Sequence, residues 1–163
     1  MIAEEVGREL GRRGLTLAVA ESCTGGLISD MITDVPGSSG YFLAGLVTYG
    51  DRGKMELLGV SEASLIRYGA VSAQVAKEMA EGARSATGAD IGLSATGIAG
   101  PGGGNEEKPV GLVHFALSHG GKMLHQRRVF SGDRRGVKRA ASEHALGMLL
   151  SFLGRLAAGE KER

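Results

Sequence analysis

The chain of 163 residues has one cysteine, Cys23, no tryptophan and an aromatic content of only 4%. A lone cysteine allows no internal disulfide, which points to a reducing, cytoplasmic setting. So few aromatic rings exclude a platform on which successive bases stack. No apolar run approaches the ~20 residues of a membrane helix. The N-terminal "MIAEEVGREL" is acidic and amphipathic, unlike a signal peptide. An excess of one charge is also missing. The formal net charge is +1, so no global field draws the molecule to nucleic acid or to a membrane. Glycine, by contrast, is abundant, with 28 residues clustered in loops. Such clusters mark backbone that turns sharply or comes close to something. Apolar and charged fractions of 42% and 23% are those of an ordinary globular chain, long enough for one domain with one core.

Hydrophobic spacing predicts an alternation of helices and strands. Ile2, Val6 and Leu10 share a helical face, so residues 2–13 read as a helix ending at Gly14. "LTLAVA", 15–20, is a short apolar run without helical period and reads as a buried strand. A helix follows from near Thr24 to before Pro36. A strand is expected over 41–49, a short helix ending at Gly59, a cap at Ser61, a helix over Gln74–Ala86 and a strand over 90–96. "LVHFALS" and "KMLHQRRVF", separated by "HGG", predict an antiparallel hairpin. The last helix starts near Asp133, with Val137, Ala141, Ala145, Met148, Phe152 and Leu156 as its inner stripe. The expected fold is a three-layer α/β/α single domain with a mixed sheet, residues 1–157, followed by a charged tail, 158–163.

Ligands in such sheets sit where strands end and helices begin. Two of these junctions are unusual. In "AESCTGGLI", Ser22 lies between a strand and a helix start carrying Cys23, Thr24, Gly25 and Gly26. Backbone N–H groups there could hold an oxyanion or a phosphate. The same residues also suit a Ser or Thr helix cap with glycines for close packing. A nucleophilic serine needs a base. His114, His119, His125 and His144 fall in or beside the hairpin and in the last helix, away from strand-end loops, and match no zinc spacing. A lysine can serve if burial or a nearby cation lowers its pKa. Lys54 follows "VTYGDRG" at a strand-to-helix turn, with Tyr49 at the strand end able to pass or steady a proton. Cys23 is a rival nucleophile, since a helix N-terminus lowers a thiol pKa, or else a small buried hydrophobe.

The second junction, "SATGIAGPGGGNEEKPVG", places Thr96, Gly97 and Gly100 in a glycine-rich loop that could form an anion nest or simply a surface loop. A third cluster, Arg134, Arg135, Lys138 and Arg139, opens the last helix, where positive charge opposes the helix dipole. These residues therefore either face an anion or form a solvated basic face.

Together the segments "VAESCTGGLIS", "VPGSSGYFLAGLVTYGDRGKMELLGV", "YGAVSAQVAKEMAEGA", "TGIAGPGGGNEEKPVG" and "GDRRGVKR" resemble the competence-damage-inducible CinA C-terminal domain family, in order, over roughly residues 5–155. The resemblance implies hydrolysis of the carboxamide of nicotinamide mononucleotide to nicotinic acid mononucleotide and ammonia. It implies Ser22 as nucleophile, Lys54 as base and Tyr49 beside them. Cys23, Thr24, Gly25, Gly26, Thr96, Gly97, Gly100, Arg134 and Lys138 would line the substrate site. It further implies no metal and no organic cofactor, a small-molecule nucleotide substrate, no nucleic-acid or membrane partner, and a module without the N-terminal domain of full-length CinA. Apolar residues near the hairpin could support a homodimer. Two positions depart from the family pattern: Lys138 stands where a second arginine is usual, and Gly102-Gly103-Gly104-Asn105 where Asp-Gly-Gly-Thr is usual. Both bear on substrate identity, so an amidase for a related substrate stays open. So does a non-catalytic nucleotide-binding module linked to competence.

Overall fold

The computed structural model describes the backbone of residues 1–160 and side chains through Leu156. The elements in chain order are α1 (Ile2–Arg13), β1 (Leu17–Glu21), α2 (Leu27–Thr33), a single 3-10 turn (Ser38–Gly40), β2 (Phe42–Val47), α3 (Asp51–Leu58), α4 (Glu62–Tyr68), α5 (Ala73–Thr87), β3 (Ile91–Gly97), β4 (Leu112–His119), β5 (Lys122–Val129) and α6 (Arg134–Glu160). The sheet order is β2-β1-β3-β4-β5. β1 pairs in parallel with β2 and β3, while β3–β4 and β4–β5 are antiparallel, so the sheet is mixed as expected.

Burial explains the layers. β1 lies inside the sheet, between β2 and β3, and is buried on both faces, hence its unbroken apolar run. On one face, Val6 and Leu10 of α1, Ile28 and Ile32 of α2 and the inner stripe of α6 pack on Leu17, Val19, Leu93 and Phe115. On the other, Val75, Met79 and Ala83 of α5 and Leu58 of α3 cover Ala18 and Ala20. Among the described residues no helix is long and apolar enough to cross a membrane.

Several ends differ from the expected ones, and each difference has a local cause. α2 begins at Leu27, not near Thr24, because Gly25 and Gly26 adopt left-handed φ values of 62° and 103°, which a helix cannot contain. β2 stops at Val47; just beyond it the Thr48 N–H still bonds β1, while the Thr48 carbonyl accepts a hydrogen bond from Lys54 Nζ at 2.8 Å. β1 starts at Leu17 because Thr16 is tied to Asp90, with its N–H donating to the carboxylate at 2.8 Å. Ser61 caps α4 as expected, accepting the Ser64 N–H at 3.1 Å. Of the expected tail, residues 158–160 continue α6, and 161–163 lie outside the described residues.

Candidate active site

The carboxyl ends of the parallel strands β1, β2 and β3 meet at one edge of the sheet. There the chain leaves β1 at Ser22, whose N–H still donates to the Ala95 carbonyl of β3 at 3.0 Å. From β2, the Thr48 N–H donates to the Glu21 carbonyl at 2.8 Å, so the turn into α3 is fastened beside the Ser22 turn. α3 then carries Lys54 inward on its first turn. Residues 32 positions apart in sequence thereby come together: Lys54 Nζ lies 3.0 Å from Ser22 Oγ.

Lys54 is 1% exposed, and it is among the largest fully buried side chains of the core. Its other contacts are two backbone carbonyls, Thr48 at 2.8 Å and Tyr49 at 3.3 Å. No carboxylate forms an ion pair with it among the described residues. Burial penalises its charged form and pulls the pKa below that of an ordinary lysine, against a weaker upward pull from Asp51. The two carbonyls can absorb the two N–H bonds of a neutral amine. Its lone pair then faces the Ser22 hydroxyl.

A cavity of about 230 Å³ opens on this pair, lined further by Cys23, Tyr49, Ala70, Thr96 and Arg134. Ser22 is 8% exposed, enough to present Oγ to the cavity. Arg134, at the start of α6, donates from Nη1 to the Gly100 carbonyl at 2.7 Å and from Nη2 to Tyr49 Oη at 2.8 Å. Its guanidinium thus joins the β2–α3, β3–β4 and α6 segments at the cavity. Tyr49 reaches Lys54 through its carbonyl, whereas its hydroxyl is occupied by Arg134.

The remaining expected residues divide. Thr96 and Gly97 line the cavity, and Thr96 Oγ1 donates to the Ala70 carbonyl at 2.9 Å. Gly100 participates through its carbonyl. Thr24, Gly25, Gly26 and Lys138 line a neighbouring open groove of about 1060 Å³. Lys138 Nζ sits 3.4 Å from where a Gly25 Cβ would stand, and the Thr24 hydroxyl donates to Glu21 at 2.6 Å. The donors expected at the helix start are differently placed as well. The Ile28 and Ser29 N–H groups are taken by the Glu21 carboxylate at 2.9 and 3.0 Å. Arg139 lines the same groove and pairs with Glu143. Cys23 is buried, and burial pushes its thiol up to about 12, the opposite of the activation expected at a helix start. No histidine lines the cavity. Among the described residues no three His, Cys, Asp or Glu side chains gather as a metal site.

Sequence reasoning missed Glu21 and the two carbonyls that hold Lys54. The signal for Glu21 was present: a lone charge at the end of an apolar strand, directly before the serine.

The family model described as CinA C-terminal domain matches residues 1–153. The chain belongs to this family. It is 49% identical to the nicotinamide-nucleotide amidohydrolase PncC of Escherichia coli K12, with 91% of this chain and 90% of that protein covered. It is 50% identical to a CinA-like protein of Syntrophotalea carbinolica over 95% of this chain but 38% of that one. The chain spans little more than a third of the length of that longer relative. Among solved structures, the competence/damage inducible protein CihA of Agrobacterium tumefaciens superposes with a TM-score of 0.90 at 42% identity, covering 94% of this chain and 93% of that one. The family and the α/β architecture expected from the sequence are therefore established.

Proposed function

We propose that this chain is a nicotinamide-nucleotide amidohydrolase that splits the carboxamide of nicotinamide mononucleotide by a serine–lysine mechanism. The observation that carries the reading is the 3.0 Å approach of a buried, ion-pair-free lysine to a serine at the mouth of a cavity. The PncC relative, matched over nearly its whole length, supports the substrate.

Neutral Lys54 accepts the Ser22 proton as Oγ attacks the carboxamide carbon. The charge that develops on the carboxamide oxygen needs backbone donors. Those at Ile28 and Ser29 belong to Glu21, and the Gly25 and Leu27 N–H groups close the turn onto the Ser22 and Thr24 carbonyls. The N–H groups of Cys23, Thr24 and Gly26 have no backbone partner among the described residues, and that of Cys23, directly after the nucleophile and in the cavity lining, is the one offered to the oxyanion. Collapse of the tetrahedral adduct breaks the C–N bond, and protonated Lys54 gives its proton to the departing ammonia. A water then loses a proton to Lys54 and attacks the acyl ester, and Ser22 leaves with that proton. Tyr49 forms a wall of the cavity, and Arg134 faces the anionic end of the nucleotide. Lys138, over the Gly25 turn, adds a second positive charge in the adjoining groove, without the two-pronged fork of an arginine. The setting is the cytoplasm, in recycling of pyridine nucleotides.

Ammonia release from nicotinamide mononucleotide, measured for the wild type and for Ser22→Ala, tests this reading. Turnover in the wild type and background rates in a folded Ser22→Ala are expected. Binding without turnover in the wild type would favour a non-catalytic nucleotide module, and turnover in Ser22→Ala would dismiss Ser22 as nucleophile.

A further inference from the structure

The residue before the nucleophile, Glu21, is fully buried, and among the described residues it pairs with no cation. Four donors converge on its carboxylate instead. Oε1 accepts the Thr24 hydroxyl at 2.6 Å and the Ile28 N–H at 2.9 Å. Oε2 accepts the Ser29 hydroxyl at 2.7 Å and the Ser29 N–H at 3.0 Å. Room for the Ser29 hydroxyl exists because Gly45 of β2 has no side chain; a Cβ there would collide with Ser29 Oγ. Only an ionised carboxylate accepts four such bonds while donating none. A glutamine could accept one of the two backbone N–H groups but would turn its own NH2 against the other, and a buried unpaired donor is costly. The backbone of Glu21 also serves the base: its carbonyl accepts the Thr48 N–H at 2.8 Å, and the Thr48 carbonyl in turn accepts from Lys54.

We propose that Glu21 is the positioning residue of the site, its side chain fixing the Ser22–Gly26 turn against α2 while its backbone fixes Thr48 under Lys54. The proposal rests on the serine–lysine reading and adds to it the residue that sets the aim of both partners. Without the carboxylate, the turn keeps its backbone bonds, including that of the Ser22 N–H to Ala95, but loses its tie to α2, and it contains two left-handed glycines, the most permissive residues available. Ser22 Oγ and the Cys23 N–H would then lose their fixed geometry.

The test uses the full chain carrying Glu21→Gln, with two readouts. One is ammonia release from nicotinamide mononucleotide, resolved into kcat and KM. The other is the rate at which a fluorophosphonate probe labels Ser22 as a function of pH, which does not depend on the natural substrate. A wild type that labels but releases no ammonia counts against the proposed substrate alone, and the labelling rates then decide on Glu21. A wild type that does neither removes the nucleophile, and this proposal with it. In folded Glu21→Gln, kcat and the labelling plateau are expected to fall about 100-fold, the scale of misplacing a reacting group by about 1 Å. KM and the pH midpoint of labelling should stay where they are. A merely structural role would lower Tm and leave the rates of the folded protein unchanged, and that result overturns the proposal. A moved pH midpoint with an unchanged plateau also overturns it, because Glu21 would then act on the charge of Lys54. If Glu21→Gln does not fold, Thr24→Val carries the decision, since it deletes one hydroxyl donor and keeps the shape. Its kcat and labelling plateau should fall about 10-fold at constant KM, and wild-type rates in that variant overturn the proposal.

Discussion

Lys54 at the sheet end and the His114–His125 pair on the hairpin are both desolvated bases, and only the lysine faces a cavity. At the end of β1, burial lowers the pKa of Lys54, and its amine faces a serine and a cavity. On the β4–β5 hairpin, burial lowers the pKa of His114 to about 4, and its Nδ1 lies 2.9 Å from His125 Nε2, ring stacked on ring. His114 stands opposite Thr96 in the ladder, one strand from the cavity lining, yet its partner is another imidazole. Around the pair are Arg127 and Lys108, which further disfavour a proton on His114, and Lys77, which does the same for His125. Desolvation alone therefore makes a poor proton carrier. In the proposed reading, a hydroxyl within reach and a route for substrate are what would let the same desolvation serve a general base.

This contrast can be broken or sharpened by substitution. The largest effect is expected for Lys54→Met, which removes the base while keeping the apolar stem: kcat should fall about 100- to 10,000-fold, the usual contribution of general base catalysis. Steady-state ammonia release by the folded variant checks it, and near-normal turnover would erase the distinction between the two regions. Next is Arg134→Ala. It deletes charge-assisted bonds to Gly100 and Tyr49, and it should raise KM about 10-fold or more. Arg134→Lys should recover part of this loss, because charge returns without the fork.

On the hairpin, His114→Gln should leave turnover at neutral pH unchanged and alter only acid stability. The folded His114 titrates near 4, against 6.5 for an ordinary imidazole. Between those values the unfolded chain binds a proton that the folded chain refuses, so stability falls as pH drops through that window. Removing His114 should flatten that part of a Tm-against-pH curve. A loss of turnover at neutral pH would instead tie the hairpin to the site. The smallest effect on activity is expected for Cys23→Ala. A thiol pushed up to about 12 is no nucleophile near neutrality, so most turnover should remain. A folded but inactive variant would move the chemistry to the sulfur.

What the sequence disclosed follows the range of the forces involved. Period and apolar runs located the strands and most helices, because these elements are defined by which side chains face the core, whereas α4 was marked only by its cap. The hairpin was legible in "HGG" between two β-rich runs, and the α4 cap in Ser61. The resemblance pointed to Ser22 and Lys54, and folding does bring them together. Less visible were features that depend on backbone groups. That Thr48 and Tyr49 give carbonyls to Lys54, and that Tyr49 contributes no hydroxyl there, depends on where β2 leaves its ladder. The division of Lys138 from Arg134 into separate hollows depends on how α6 approaches the Gly25 turn. Glu21 stayed hidden because a charge at a strand end ordinarily faces water. Its four donors come from residues three to eight positions later, and these converge only once the turn and α2 have formed.

The account stands on Lys54 being uncharged when Ser22 reacts, and a nuclear magnetic resonance titration of the lysine side chains reads this directly. The resonance assigned to Lys54 by its loss in Lys54→Met should titrate at a lower pH than an ordinary exposed lysine, ~10.4. A Lys54 midpoint at or above that value would contradict the account.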